Sequence, residues 1–213
     1  MSKLLNVSSS PHVRCGVSTK NLMYDVAIAM LPATIWGVMQ FGIYSLIVVV
    51  ATVLSCVLSE YLFETLMHKP VTISDGSALV TGMILGLNMP PAIPLWMPIL
   101  GGVFAIIVVK QLYGGLGQNW MNPALAARCF MLISFAQAMT KFTDPVTDAV
   151  ASATPLAAIK AGDTYDLAAM FIGKIPGTIG EVSVIALLIG AAYLLVKKVI
   201  TIRIPAAYIL SFA

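Results

Sequence analysis

The sequence predicts an all-α polytopic membrane protein, a helical bundle that mixes full spans with half-helices. Three observations predict it. Of 213 residues, 59% are hydrophobic and only 10% are charged, whereas an ordinary soluble domain carries about 25% charged residues. The mean hydropathy is +0.95. So few charges cannot coat a globule of this size, and the excess apolar surface needs lipid. Finally, prolines and glycines interrupt several apolar stretches before they are long enough to span. The formal charge of +3 is scattered and does not point to nucleic acid. Its better use is loop asymmetry across a membrane. Cys15, Cys56 and Cys129 have no zinc or iron–sulfur spacing, and His12 and His68 make no metal pair, so no metal site is expected.

Residues 1–21 read as a polar N-terminal tail, and 22–213 as the transmembrane domain. The tail holds Lys3, Arg14 and Lys20, which place it in the cytoplasm by the positive-inside rule. It has no apolar core ending in a small-residue cleavage site, so no removed signal is expected. The first span runs from about Leu22 to Phe41 and contains Pro32, which neighbouring helices can accommodate. The second runs from about Ile43 to Met67 and is long enough to span with tilt. Glu60 and Glu64 lie four apart on it, hence on one face. With Asp25 on the first helix, they read in two ways. They are interfacial carboxylates paired with Lys20, Lys69 or Arg128, with Glu64 reaching water, or they form an ion or proton path.

Ser74 or Asp75 is placed to cap a helix starting near Ser77. That helix is apolar to Met89 and then meets Pro90-Pro91. Some 13 residues cover about 20 Å, against a hydrocarbon core of about 30 Å. It is therefore a half-helix, completed by extended chain from Asn88 to Pro94, and Gly82 and Gly86 give it a close-packing face. A further helix is expected from about Leu95 to Tyr113, with Lys110 snorkelling to the cytoplasm. The glycines at 114, 115 and 117 lack the Lys-Ser/Thr of a phosphate loop. Asn122-Pro123 is an N-cap followed by proline at the first helical position, opening a helix to about Met139. Arg128, within this helix, reads either as a snorkelling anchor or as the partner of an anion, a phosphate or a carboxylate such as Glu60.

By parity the chain is then outside, and 140–177 is an extracytoplasmic loop. Thr178 to Val196 is expected to span back, with Glu181 in its first turn, ending in Lys197-Lys198 and Arg203 on the cytoplasmic side. Pro205 to Ala213 opens another apolar segment too short to span, so the expectation is that the chain is C-terminally truncated and further helices follow. The half-helix and the Asn-Pro-opened helix look repeat-related.

Several stretches resemble one family: Ser10-Pro11-His12, the run from Asp75 to Gly82, Gly114 to Asn119 with Asn122-Pro123-Ala124, Ser152-Ala153-Thr154-Pro155-Leu156, Gly177 to Ser183, and Arg203-Ile204-Pro205. They cover nearly the whole chain in order. The family comprises the D subunits of Rnf complexes and the related B subunits of sodium-pumping NADH:quinone reductases. The resemblance implies a urea-transporter-like fold of inverted repeats. It implies FMN carried covalently on Thr154 as a phosphoester, with Ser152, Asp148 and Arg128 around the cofactor. A second, non-covalent flavin such as riboflavin is also expected. The implied activity is electron transfer between reduced ferredoxin and NAD+, coupled to Na+ or H+ movement across a prokaryotic cytoplasmic membrane. The implied partners are the other membrane subunits, the FMN-carrying G subunit, and the iron–sulfur and NADH-binding subunits.

Two readings from other classes stand beside this one. Asn122-Pro123-Ala124 is also the Asn-Pro-Ala triplet of aquaporins, and Asn88 to Ala92 resembles a decayed copy, which suits a passive channel or small-solute transporter. A structural membrane scaffold would show neither flavin nor flux.

Overall fold

The computed structural model describes residues 18–143, 150–151 and 167–212. Helix α1 spans Thr19–Phe41 and α2 spans Ile43–Leu66, hinged at Gly42. Both are long and apolar enough to cross a membrane, and among the described residues they alone are. Ser18 caps α1 through Asn21 N. Pro32 sits inside α1 without ending it. Four further apolar helices, of ten to seventeen residues, are shorter than a span.

Helix α3 covers Ser77–Leu87. Eleven residues make about 17 Å, so the expected half-helix is present and stops two residues early. It starts as the sequence suggests: a short 3-10 turn at Ile73–Asp75 leads to left-handed Gly76, and Asp75 Oδ1 accepts from Ser77 N (2.7 Å) and Ser77 Oγ (2.6 Å). The close-packing face of α3 lies against α2. A Cβ on Gly82 would come within 2.6 Å of Val53 Cα, and one on Gly86 within 3.0 Å of Val49 Cα. The two helices therefore touch backbone to backbone, which only glycine permits.

The segment expected as one α-helix from Leu95 to Tyr113 has two parts. Helix α4 covers Trp96–Val103 and runs straight into a π-helix at Phe104–Gln111. Helix α5 covers Pro123–Ser134, capped by Asn122 Oδ1 on Ala124 N (3.0 Å) and Leu125 N (3.4 Å). It breaks at Phe135, and α6 (Ala136–Met139) finishes the stretch. A two-residue pairing joins β1 (Phe142–Thr143) to β2 (Val150–Ala151), antiparallel, with Phe142 opposite Ala151. Helix α7 covers Leu167–Ile172, α8 covers Val184–Val196, and α9 covers Arg203–Phe212.

The expected span from Thr178 to Val196 needs correction. Helix starts only at Val184, capped by Ser183 Oγ on Ala186 N, and Thr178 to Ser183 is irregular. Glu181 therefore precedes the helix instead of occupying its first turn. This irregular stretch docks on the broken end of α3: Gly180 N donates to Leu87 O (2.8 Å) and Ile179 N to Met89 O (3.1 Å). Carbonyls freed by one break are satisfied by amides freed at the other. Unpaired backbone in an apolar interior costs several kcal/mol per group, so each irregular stretch needs the other.

The core gathers around this joint. Leu85, Met89, Ile93, Met131 and Ile179 are fully enclosed, with Val48 and Val49 of α2 behind them. Helix α8 lies along α1, antiparallel to it. Tyr193 OH donates to Asp25 Oδ1 (2.9 Å), and Lys197 Nζ lies 3.6 Å from the same oxygen. The Lys197 end of α8 is thus on the same side of the bundle as the start of α1.

Candidate functional site

Two groups of charged side chains stand out. The first lies where the end of α2, the start of α3 and the π-helix meet. Glu60 is 0% exposed and Lys110 2%. Lys110 Nζ donates to Glu60 Oε1 (2.5 Å) and to Ser77 Oγ (2.5 Å). Gln111 Nε2 donates to Glu60 Oε1 (2.8 Å) and Glu64 Oε1 (3.2 Å), bridging the two carboxylates. Glu64 also accepts from Thr72 N (2.9 Å) and Thr72 Oγ1 (2.5 Å). Ser77 links the group onward to Asp75. A continuous polar chain therefore runs from exposed Thr72 and half-buried Asp75 inward to Glu60. The second oxygen of that carboxylate, Oε2, is buried with no hydrogen-bond partner among the described residues.

The π-helix builds this group. In an α-helix successive residues turn by about 100°, so three in a row cannot face one neighbour. Here Val109, Lys110 and Gln111 are all buried. The wider turn, marked by bonds from Leu112 N to Ile107 O and from Gly115 N to Lys110 O, brings Lys110 and Gln111 together onto α2. Lys110 does not snorkel, and Glu60 does not pair with Lys20, Lys69 or Arg128. Glu64 is 2% exposed and does not reach water. The ammonium is paired with a carboxylate inside the bundle, as charged groups within membrane helices commonly are.

The second group is more open. Arg128, on α5, donates from Nη1 to Asn88 Oδ1 (2.5 Å) at the end of α3. Its Nη2 is 4.0 Å from Glu181 Oε2. Asn88 Nδ2 donates to Ile84 O (2.7 Å). Glu181 Oε1 accepts from Thr178 N (3.4 Å). The carboxylate near Arg128 is thus Glu181, not Glu60. Asn88, Thr178 and Glu181 line a cavity of about 410 Å³ whose other walls are apolar residues of α1, α3 and α8. A separate groove of about 490 Å³ lies between the π-helix and α5, walled by Phe104, Tyr113, Trp120 and Asn122.

Asp25 joins neither group; it serves the α1–α8 contact. Thr154, Ser152 and Asp148 lie outside the described residues, as does most of the 140–177 loop. Sequence reasoning missed Lys110, Gln111, Ser77, Asn88 and Thr178 as site residues. Lys110 carried a readable signal, since an apolar stretch holding one Lys faces another holding Glu60.

Broken apolar helices joined through their freed backbone groups, with an enclosed ion pair on one side of the joint and a half-exposed one on the other, define a polytopic helical membrane protein. Residues 6–213 match the model of the NQR2, RnfD, RnfE family, and the chain belongs to that family. It is 47% identical over 98% of its length to the D subunit of a Na(+)-translocating ferredoxin:NAD(+) oxidoreductase complex from Acetobacterium woodii, covering 68% of that protein. It is 40% identical over 97% of its length to the proton-translocating counterpart of Clostridium ljungdahlii, covering 66%. A Rhodobacter capsulatus relative, the D subunit of an ion-translocating oxidoreductase complex, is 32% identical over 93% of the chain, covering 65% of that protein. The chain therefore spans about two thirds of the length of these relatives.

Proposed function

We propose that this chain is the D subunit of an Rnf complex, an ion-translocating ferredoxin:NAD+ oxidoreductase of a prokaryotic cytoplasmic membrane. The observation that carries this is the 47% identity to such a subunit over nearly the whole chain. The subunit acts with its partners: the other membrane subunits, the FMN-carrying G subunit, and the iron–sulfur and NADH-binding subunits. Its N-terminal tail is cytoplasmic and the loop around Thr154 extracytoplasmic. The shared side of Asp25 and Lys197 supports that parity.

Thr154 carries FMN through a phosphoester, with Ser152 and Asp148 beside it in the small-residue run before Pro155. FMN supplies the one- and two-electron transfer that no side chain can. Arg128 is a cation within reach of the bundle interior for anionic groups. A second, non-covalent flavin such as riboflavin is part of the same reading. The aromatic-walled groove of about 490 Å³ is in the size range of small-molecule sites.

Glu60 and Glu64 belong to the ion path, with Asp25 near the same face of the bundle. Support comes from the unengaged Glu60 Oε2 at the inner end of a polar chain that starts at exposed Thr72. Lys110 and Gln111 hold that carboxylate in place. Glu60→Gln keeps an oxygen for both donors while removing the charge. It is expected to slow ion-coupled turnover more than it lowers the amount of assembled subunit; unchanged pumping would remove Glu60 from the path.

The channel reading is less well supported. Asn122 Oδ1 is engaged in capping α5, and Asn88 uses both ends of its amide inside the protein. The deciding experiment is flavin fluorescence on a denaturing gel, from cells that have the flavin-attaching enzyme. Wild type and Ser152→Ala should fluoresce and Thr154→Ala should not. Equal fluorescence in Thr154→Ala would sink the assignment and move the channel reading ahead.

A further inference from the structure

We infer that Glu181 is the carboxylate of an alkali-cation site at mid-depth in the bundle, with Thr178 Oγ1 as a second ligand and Arg128 as a tethered cation competing for it. The inference rests on the ion-translocating reading above and names where, within that reading, a metal cation is held.

Four observations carry it. The cavity runs along α1 from Val26 to Ala33, inside a 23-residue helix long enough to span. It lies at the end of a broken helix, where the carbonyl end of the α3 dipole favours positive charge. Thr178 is 2% exposed and lines the cavity, and among the described residues its Oγ1 has no hydrogen-bond partner. A buried hydroxyl without a partner is uncommon, and a bound ion is one thing that satisfies it. Lastly, Thr178 N holds Glu181 Oε1, so the carboxylate stands beside that hydroxyl.

Arg128 gives the site its regulation. Its firm bond is to Asn88, and it only brushes Glu181, at 4.0 Å. A cation entering beside Glu181 takes over the neutralising role, and Arg128 withdraws while keeping Asn88. The carboxylate is then neutralised in both states, which matters where a bare charge is costly. A proton would need only Glu181 and would leave the Thr178 hydroxyl unexplained. A hard metal cation needs oxygen ligands and uses both.

The test is thermal unfolding of the purified intact complex in NaCl against choline chloride at equal ionic strength, without electron donor or acceptor. A cation that binds the native state raises the midpoint in a saturable way. Glu181→Gln should weaken the Na+ response by at least about tenfold, having lost a charged ligand. Glu181→Asp should retain part of it, which separates ligand loss from misfolding. Thr178→Val, of nearly equal size, should weaken it, and Thr178→Ser should not. Arg128→Gln should move half-saturation to lower Na+. A wild-type response in Glu181→Gln would overturn the site. A weaker response in Arg128→Gln would overturn the competition. A midpoint that follows pH through Glu181 but ignores Na+ would make it a proton site and overturn the metal-cation assignment. Gel fluorescence at Thr154 is unaffected by any of these outcomes, so the two readings fail separately.

Discussion

The Glu60–Lys110 pair and the Arg128–Glu181 pair are each a carboxylate and a cation inside one helical bundle, yet they are built in opposite ways. Glu60 and Lys110 touch at 2.5 Å, with side chains 0% and 3% exposed, and Gln111 and Ser77 lock them. Arg128 and Glu181 stand 4.0 Å apart, with side chains 36% and 49% exposed. The first pair lies on regular and π-helical backbone. The second bridges α5 to an irregular segment. Burial makes a pair strong to break, whereas looseness makes it easy to exchange. The difference teaches that the same pairing chemistry can be built tight and enclosed or loose and open within one bundle.

The largest effect should come from removing half of the tight pair. Lys110→Met leaves Glu60 buried without its cation and should cost about 3–5 kcal/mol. Thermal unfolding of the complex should show it as a large drop in midpoint. Adding Glu60→Gln to Lys110→Met should restore most of the loss, because a buried neutral pair has no bare charge. If the double variant is as unstable as the single, the loss is not the cost of a bare buried charge. Next is the backbone seam beside that pair. Gly82→Leu drives a side chain into Val53 and should cost about 1–3 kcal/mol. A neutral result would mean that α2 and α3 are not in contact.

The loose pair should behave otherwise. Arg128→Gln should change stability by about 1 kcal/mol or less, since its contact with Glu181 is long and glutamine can still donate to Asn88. A loss as large as that of Lys110→Met would erase the contrast between the two pairs. Smallest of all, Lys197→Ala at the α1–α8 contact should shift stability by about 0.5 kcal/mol or less, because Lys197 is half exposed and Tyr193 still bonds Asp25.

Much of this is legible in the sequence. Pro90-Pro91 and Asp75 bound the half-helix, Gly82 and Gly86 name its packing face, and Asn122-Pro123 starts α5, all from local chemistry. Lys110 misleads because propensity treats a lysine near a helix end as water-seeking. Its burial depends on a tertiary partner fifty residues away and on the π-turn, for which apolar periodicity carries no mark. Thr178 to Ser183 reads as helix because it runs without a proline into the apolar stretch from Val184. What unwinds it is the pair of carbonyls at Leu87 and Met89, which only the folded bundle presents. Arg128 visibly needs a partner, but that partner lies on a segment whose position the sequence does not disclose.

The two bonds from Gly180 to Leu87 and from Ile179 to Met89 have a mechanical consequence. In soluble proteins, water can take over such bonds when a segment moves. In the bilayer core it cannot, so opening the joint would strand four backbone groups at once. The end of α3 and the segment before α8 must then travel as one rigid knuckle. Relative movement is then easier along the α1–α8 face, where among the described residues no backbone bonds cross and Asp25 holds Tyr193 and Lys197 at one end only.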